Sequence, residues 1–153
     1  MLYVAYGSNL NREQMRWRCP SARAVATAIL PDYRLMFKGS KTGSYLTIEP
    51  CDGEEVPVVL WSVTAADVKN LDMYEGYPHF YYKKSVNLSC DDGKKRKAFV
   101  YIMHEDRPLG VPSARYVGTC AEGYQDFGFD LKYIRDAIEY SKGEMTHELY
   151  RIG

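Results

Sequence analysis

The sequence predicts an α+β fold: a small, mostly antiparallel β-barrel flanked by helices. Two observations carry this expectation. Short apolar runs bounded by Gly, Pro, Asp and Asn outnumber the helical stretches, and they do not alternate with helices in the βαβ manner of parallel sheets.

The elements follow in order. Leu2 to Tyr6 is a short apolar run ended by glycine, which suits a buried strand. Asn11 caps a short helix reaching about Trp17, with Gln14 placed to reach back as in a capping box. Ala22 to Leu30 and Tyr33 to Phe37 read as strands around Pro31-Asp32, and Gly39 to Gly43 as a loop. Tyr45 to Glu49 and Val56 to Val63 are strands on either side of the turn-rich Pro50 to Glu55. Thr64-Ala65-Ala66-Asp67 matches a capping box, and the helix it opens runs to about Tyr74, ended by Gly76 and Pro78. Phe80 to Leu88 and Lys97 to Met103 form a hairpin around Asp91-Asp92-Gly93. After a Pro- and Gly-rich loop from His104 to Pro112, Ser113 caps a helix to about Glu122. Asp130 caps the last helix, with Leu131, Ile134 and Ile138 on its core face. Gly143 ends that helix, giving one domain over 1–143 and a tail over 144–153.

The 153 residues suffice for a core without staples. Lys+Arg and Asp+Glu each total 20, and a formal net charge of zero lacks the basic footprint of nucleic-acid binding. The longest strongly apolar stretch, Val56 to Val63, is too short to span a bilayer, and the first residues lack the pattern of a secretory leader. The four cysteines, Cys19, Cys51, Cys90 and Cys120, lie about 30 to 40 residues apart with no C-x-x-C pair. Reduced thiols in a cytoplasmic protein are the simplest expectation. His79, His104 and His147 have no ligand spacing, so neither metal nor cofactor is expected. Cys51 and Cys120 lack an obvious histidine base. The chain is rich in tyrosine, with 14, which suits strands and pocket walls alike.

One carboxylate stands out. Val68, Leu71 and Glu75 fall at i, i+3 and i+7 and share a helix face, so Glu75 takes a position where an aliphatic residue belongs. A buried carboxyl has a raised pKa, the state needed for proton transfer near neutrality. Two other readings fit the same spacing: a helix ending at Tyr74 that frees Glu75 to solvent, or an ion pair with one of the arginines. Asp72, on the same turn, is poorly placed to form a glycosidase pair with Glu75. The second feature is Tyr6-Gly7-Ser8-Asn9-Leu10, which links the first strand to the short helix. It reads either as a small anion site built from free N–H groups or as a plain turn.

Together these segments resemble the γ-glutamylcyclotransferase-like family. The matching residues are Ala5-Tyr6-Gly7-Ser8-Asn9-Leu10, Tyr33-Arg34-Leu35-Met36-Phe37, Leu71-Asp72 with Glu75-Gly76-Tyr77-Pro78, and Pro112-Ser113-Ala114-Arg115-Tyr116. The resemblance implies the small barrel with flanking helices. It implies that Glu75 matches the family's catalytic glutamate and that the Tyr6 to Leu10 loop holds a γ-glutamyl head group. It also implies that Tyr116 matches a tyrosine whose hydroxyl reaches the site, although a packed helix residue fits that position equally. The implied reaction is attack of a small-molecule substrate's α-amine on its own γ-carbonyl, releasing 5-oxoproline and an amine. The same parts would serve a γ-glutamylamine cyclotransferase or a biosynthetic deprotection. A non-catalytic domain binding a small carboxylate or a partner is the alternative of another class.

Overall fold

A computed structural model of the chain describes residues 1–40 and 42–152; for residue 40 and residues 144–152 it describes the backbone alone. Five strands form one mixed sheet in the order β2-β3-β1-β5-β4. They are β1 (Leu2–Ala5), β2 (Arg23–Ser40), β3 (Gly43–Ser62), β4 (Tyr81–Ser89) and β5 (Lys95–Met103). Every neighbouring pair is antiparallel except β1 with β5, which run parallel with Tyr3 opposite Phe99. The edge strands approach at one end, where Ala28 and Cys90 make an isolated bridge and Asp91 N–H donates to Thr27 O at 2.9 Å. The expected barrel is therefore a curled sheet whose two edges touch at this bridge.

The four strands expected between residues 22 and 63 merge into a single long ribbon. Pairing of β2 with β3 is interrupted opposite Asp32, where residues 51–54 bulge out between the partners of Pro31 and Tyr33. Asp32 sits at φ 61° and its carboxylate accepts from Gly53 N–H at 3.1 Å, so the Pro31-Asp32 and Asp52-Gly53 signals mark a bulge rather than strand ends. The loop expected over 39–43 contracts likewise, because Gly39 pairs with Ser44 and Ser40 with Gly43. Residue 41, at its tip, lies outside the described residues.

Helices cover the sheet. A 3-10 turn over Ser8–Leu10 leads into α1 (Arg12–Arg18). Asn11 caps α1 by accepting from Gln14 N–H, but its own N–H goes to Ser8 O, so the capping box is only half formed. By contrast Thr64 and Asp67 complete theirs at the start of α2 (Ala65–Glu75). α3 (Ala114–Asp126) begins at the Ser113 cap and runs one turn beyond the expected end. α4 (Lys132–Ile152) passes through Gly143, where the sequence suggested a stop, since glycine weakens a helix by only about 1 kcal/mol and is tolerated. Among its described side chains the buried ones are Ile134, Ala137 and Ser141; Leu131, expected in the core, precedes the helix and is exposed. Among the described residues no helix is long and apolar enough to cross a membrane.

The contact that places the loop after β1 is the seat of α3. A Cβ on Gly123 would lie 2.6 Å from Asn11 N and 2.8 Å from Leu10 C and Cβ. Only a residue without a side chain lets α3 lie so close to this backbone. Asn11 adds Nδ2–H bonds to Thr119 O and the Glu122 carboxylate at 3.1 Å. Gly123→Ala is accordingly expected to lower stability by about 1–3 kcal/mol in urea denaturation, as overpacking does. An unchanged midpoint would show that α3 does not need this approach.

Candidate functional site

The loop after β1 and the end of α2 face each other across one cavity of about 480 Å³. That volume lies inside the range of small-molecule pockets, roughly 300–1,000 Å³. Its lining includes Tyr6, Gly7, Ser8, Asn9, Glu75 and Tyr116, which the sequence singled out. Leu10 is the exception: its side chain is fully buried in the core, and its N–H closes the 3-10 turn onto Gly7 O at 3.0 Å. Seven of the 14 tyrosines line this cavity, namely Tyr3, Tyr6, Tyr45, Tyr74, Tyr81, Tyr101 and Tyr116.

Glu75 is the last residue of α2, so the helix does not stop at Tyr74. Leu71, one turn earlier, is fully buried and Val68 packs against the core, so the face they share carries Glu75 inward. Gly76 follows at φ 63°; its N–H donates to Met73 O and that of Tyr77 to Asp72 O at 2.9 Å, a Schellman end. The helix is thus closed immediately after Glu75, and the chain leaves through the cis Tyr77-Pro78 bond.

No salt bridge engages Glu75 among the described residues. Its side chain is only half-buried because one side opens on the cavity, while protein encloses the rest. Burial pushes its pKa up to about 7, against the opposing pull of the Arg18 guanidinium. Asp72 turns elsewhere, into an ion pair with Lys83 at 2.9 Å and a hydrogen bond from Tyr101.

The tyrosine hydroxyls divide by their donors. Tyr6 donates to Tyr101 O at 2.7 Å, Tyr81 to Leu46 O at 2.9 Å and Tyr101 to Asp72, so these three are committed walls. Tyr3 accepts from Asn9 Nδ2 at 2.9 Å and Tyr116 from Leu46 N–H at 3.1 Å. Both keep a proton to donate; for Tyr116 the protein alternative is the Cys120 sulfur, a weak acceptor. In the loop, Leu10 and Asn11 N–H are spent on Gly7 O and Ser8 O, leaving Ser8 and Asn9 N–H without partners inside the turn. Asn9 itself is rigidly held, with Trp61 Nε1 donating to its carbonyl at 3.0 Å.

Sequence reasoning missed Tyr3, Tyr74, Tyr45 and Leu46 as cavity walls and Arg18 as a neighbour of the loop. Tyr3 had a signal in its place on the strand that feeds the loop. The others come together only through sheet pairing and helix seating. Among the described residues no cluster of His, Cys, Asp and Glu could hold a metal ion.

Sequence and fold comparisons place the chain in a known family. The γ-glutamyl cyclotransferase, AIG2-like family model matches residues 3–118, and the chain belongs to that family. Its relatives include γ-glutamylcyclotransferases of Bos taurus, 33% identical across 97% of this chain and 85% of theirs, and of Homo sapiens, 34% identical across 86% and 74%. A solved γ-glutamyl cyclotransferase structure superposes with a TM-score of 0.80 at 30% identity, covering 90% of this chain and 85% of that one.

The raised pKa makes stability depend on pH. Because the folded carboxyl holds its proton from about pH 4.5 to about 7 while the unfolded one has lost it, stability falls as pH rises through that window. Glu75→Gln lacks this penalty. Its stability relative to wild type should rise between pH 4 and pH 8 by on the order of 3 kcal/mol, at about 1.36 kcal/mol per pKa unit. Urea denaturation at the two pH values measures this; a constant difference would mean an unshifted Glu75.

Proposed function

We propose that the protein is a γ-glutamylcyclotransferase with Glu75 as the single acid/base. The observation that carries this is the unpaired Glu75 carboxyl, poised near neutrality, in one cavity with Ser8 and Asn9. The γ-glutamyl head lies against the Tyr6 to Asn9 loop, and Leu10 serves as the loop's core anchor rather than a contact. The leaving amine points to the mouth, bordered by Tyr45, Met73 and Phe80.

The chemistry needs no enzyme nucleophile, because the attacking amine and the carbonyl belong to one molecule and effective molarity can reach about 10⁵ M or more. An α-amino group has a pKa of about 8, so most of it arrives as ammonium. Glu75, as carboxylate, takes one proton and frees the amine. The amine forms the new C–N bond at the γ-carbonyl, whose oxygen takes up the charge. Ser8 and Asn9 N–H, with the spare protons of Tyr3 and Tyr116, are the donors available to that oxygen. Glu75 then gives its proton to the departing nitrogen as the old amide bond breaks. The second proton of the new ring nitrogen passes to the regenerated carboxylate and from there to the freed amine, so that 5-oxoproline and an ammonium are released and Glu75 is again a carboxylate.

The zero formal charge suits a small-molecule substrate rather than nucleic acid. Four free cysteines suit a reducing, cytoplasmic setting.

The test is 5-oxoproline release from a panel of γ-glutamyl amino acids, γ-glutamyl amines and glutathione. Wild type is expected to turn over at least one member, with kcat/KM rising through about pH 7. Folded Glu75→Gln should lose about 100-fold or more, the usual worth of a positioned acid/base. Turnover by that variant near the wild-type rate would remove Glu75 from the mechanism.

A further inference from the structure

Arg18 closes α1, and no part of the proposed mechanism uses it. Yet its contacts converge on the two elements that face each other across the cavity. Its Nη1 donates to Asn9 Oδ1, in a short contact, and to Ser8 Oγ at 3.4 Å. The face of the same guanidinium lies 3.4 Å over the ring of Tyr74, the residue before Glu75. Tyr74 closes the circuit, with its hydroxyl 3.2 Å from Ser8 Oγ. The Arg18 carbonyl accepts from Asn70 Nδ2 at 3.0 Å, so backbone and side chain both grip α2. Among the described residues Arg18 has no acidic salt-bridge partner.

We infer that Arg18 is a positioning residue for the reaction: one guanidinium fork locks the Ser8-Asn9 turn to the end of α2, setting the distance between the loop's donors and Glu75. A planar fork suits this task, since it can hydrogen-bond in its plane while stacking on Tyr74 with its face. The inference rests on Glu75 being the acid/base. Among the described residues Arg18 is also the cation that acts on Glu75. The other groups facing that carboxyl are phenols: Tyr3 on β1, Tyr6 at the loop, Tyr74 on α2, Tyr81 on β4 and Tyr101 on β5. Each is neutral near pH 7, so among the described residues Arg18 supplies the positive charge that favours the carboxylate.

Three proteins test this, wild type, Arg18→Met and Arg18→Lys, with steady-state kinetics from pH 5 to 9 and direct NMR titration of the Glu75 carboxyl without substrate. Arg18→Met should shift both the Glu75 titration and the acid limb of kcat/KM upward. At pH 6.5 it should lose about tenfold or more, recovering only partly at pH 9 because the loop is no longer locked. Arg18→Lys should leave the titration near wild type, since the charge is kept, and raise KM several-fold, since the fork is lost. Should Arg18→Met fail to fold, Arg18→Lys decides: a higher KM with an unmoved acid limb supports the inference, and a wild-type KM overturns it. A wild-type KM in folded Arg18→Met and Arg18→Lys, with Glu75→Gln inactive, overturns the role of Arg18 alone. Full activity in Glu75→Gln would instead overturn the reading of Glu75 on which it stands.

Discussion

The structure is organised around a carboxyl group held inside protein without an ion-pair partner. Such a group is destabilising in its charged form, and desolvation rather than a neighbouring anion is what raises its pKa. The fold must therefore fix Glu75 by means other than attraction to it. It does so through α2. A complete capping box sets the start of the helix, Leu71 anchors its middle, and a left-handed glycine stops it one residue beyond Glu75. Each device is local and written in a few residues. Together they leave the carboxyl little freedom to swing out to water.

The aromatic content of the cavity follows from the same constraint. A wall of aliphatic residues would desolvate the carboxyl but give the substrate no donors. A wall of polar residues would hydrate it and return its pKa to the usual range. Tyrosine supplies a large apolar body with one polar tip. Here the tips are divided between jobs. Those of Tyr6 and Tyr81 stitch the sheet to itself by donating to backbone carbonyls, which keeps them from competing for Glu75. Those of Tyr3 and Tyr116 accept from the protein and so retain protons for a ligand.

What the sequence disclosed and what it withheld divide along a physical line. Features made by consecutive residues were legible: the Thr64-Asp67 capping box, the Asp92-Gly93 hairpin turn, the glycine loop, and the inward face of Leu71 and Glu75. Those are short-range effects of backbone geometry and periodicity. The bulge at Asp32 was misread as two strand ends because turn residues mark both, and only pairing across the ribbon distinguishes them. The helix after Asp130 was ended at Gly143 on propensity, which a continuing helix overrode. Leu10 belongs to the loop's sequence but turns into the core, because the 3-10 turn rotates it away from the cavity. Arg18 left little trace, since its partners lie on α2, remote in sequence, or across a turn whose shape the sequence does not give.

The parallel pairing of β1 with β5 has a consequence for how the protein is made. β2 with β3, and β4 with β5, are hairpins between neighbours in sequence, and such local pairings form early. β1 is different. It sits in the middle of the sheet, and its two partners are completed only when residues 59–62 and then 99–100 have been synthesised. The loop that hangs from β1 therefore finds its place late, when the first strand is drawn between ribbons already formed. A ribosome-bound chain short of β5 carries Glu75 but lacks Tyr101 and Tyr116 from the cavity wall. The cavity is in this way withheld from the unfinished polypeptide and is completed only when Tyr101 on β5 and then Tyr116 on α3 have followed.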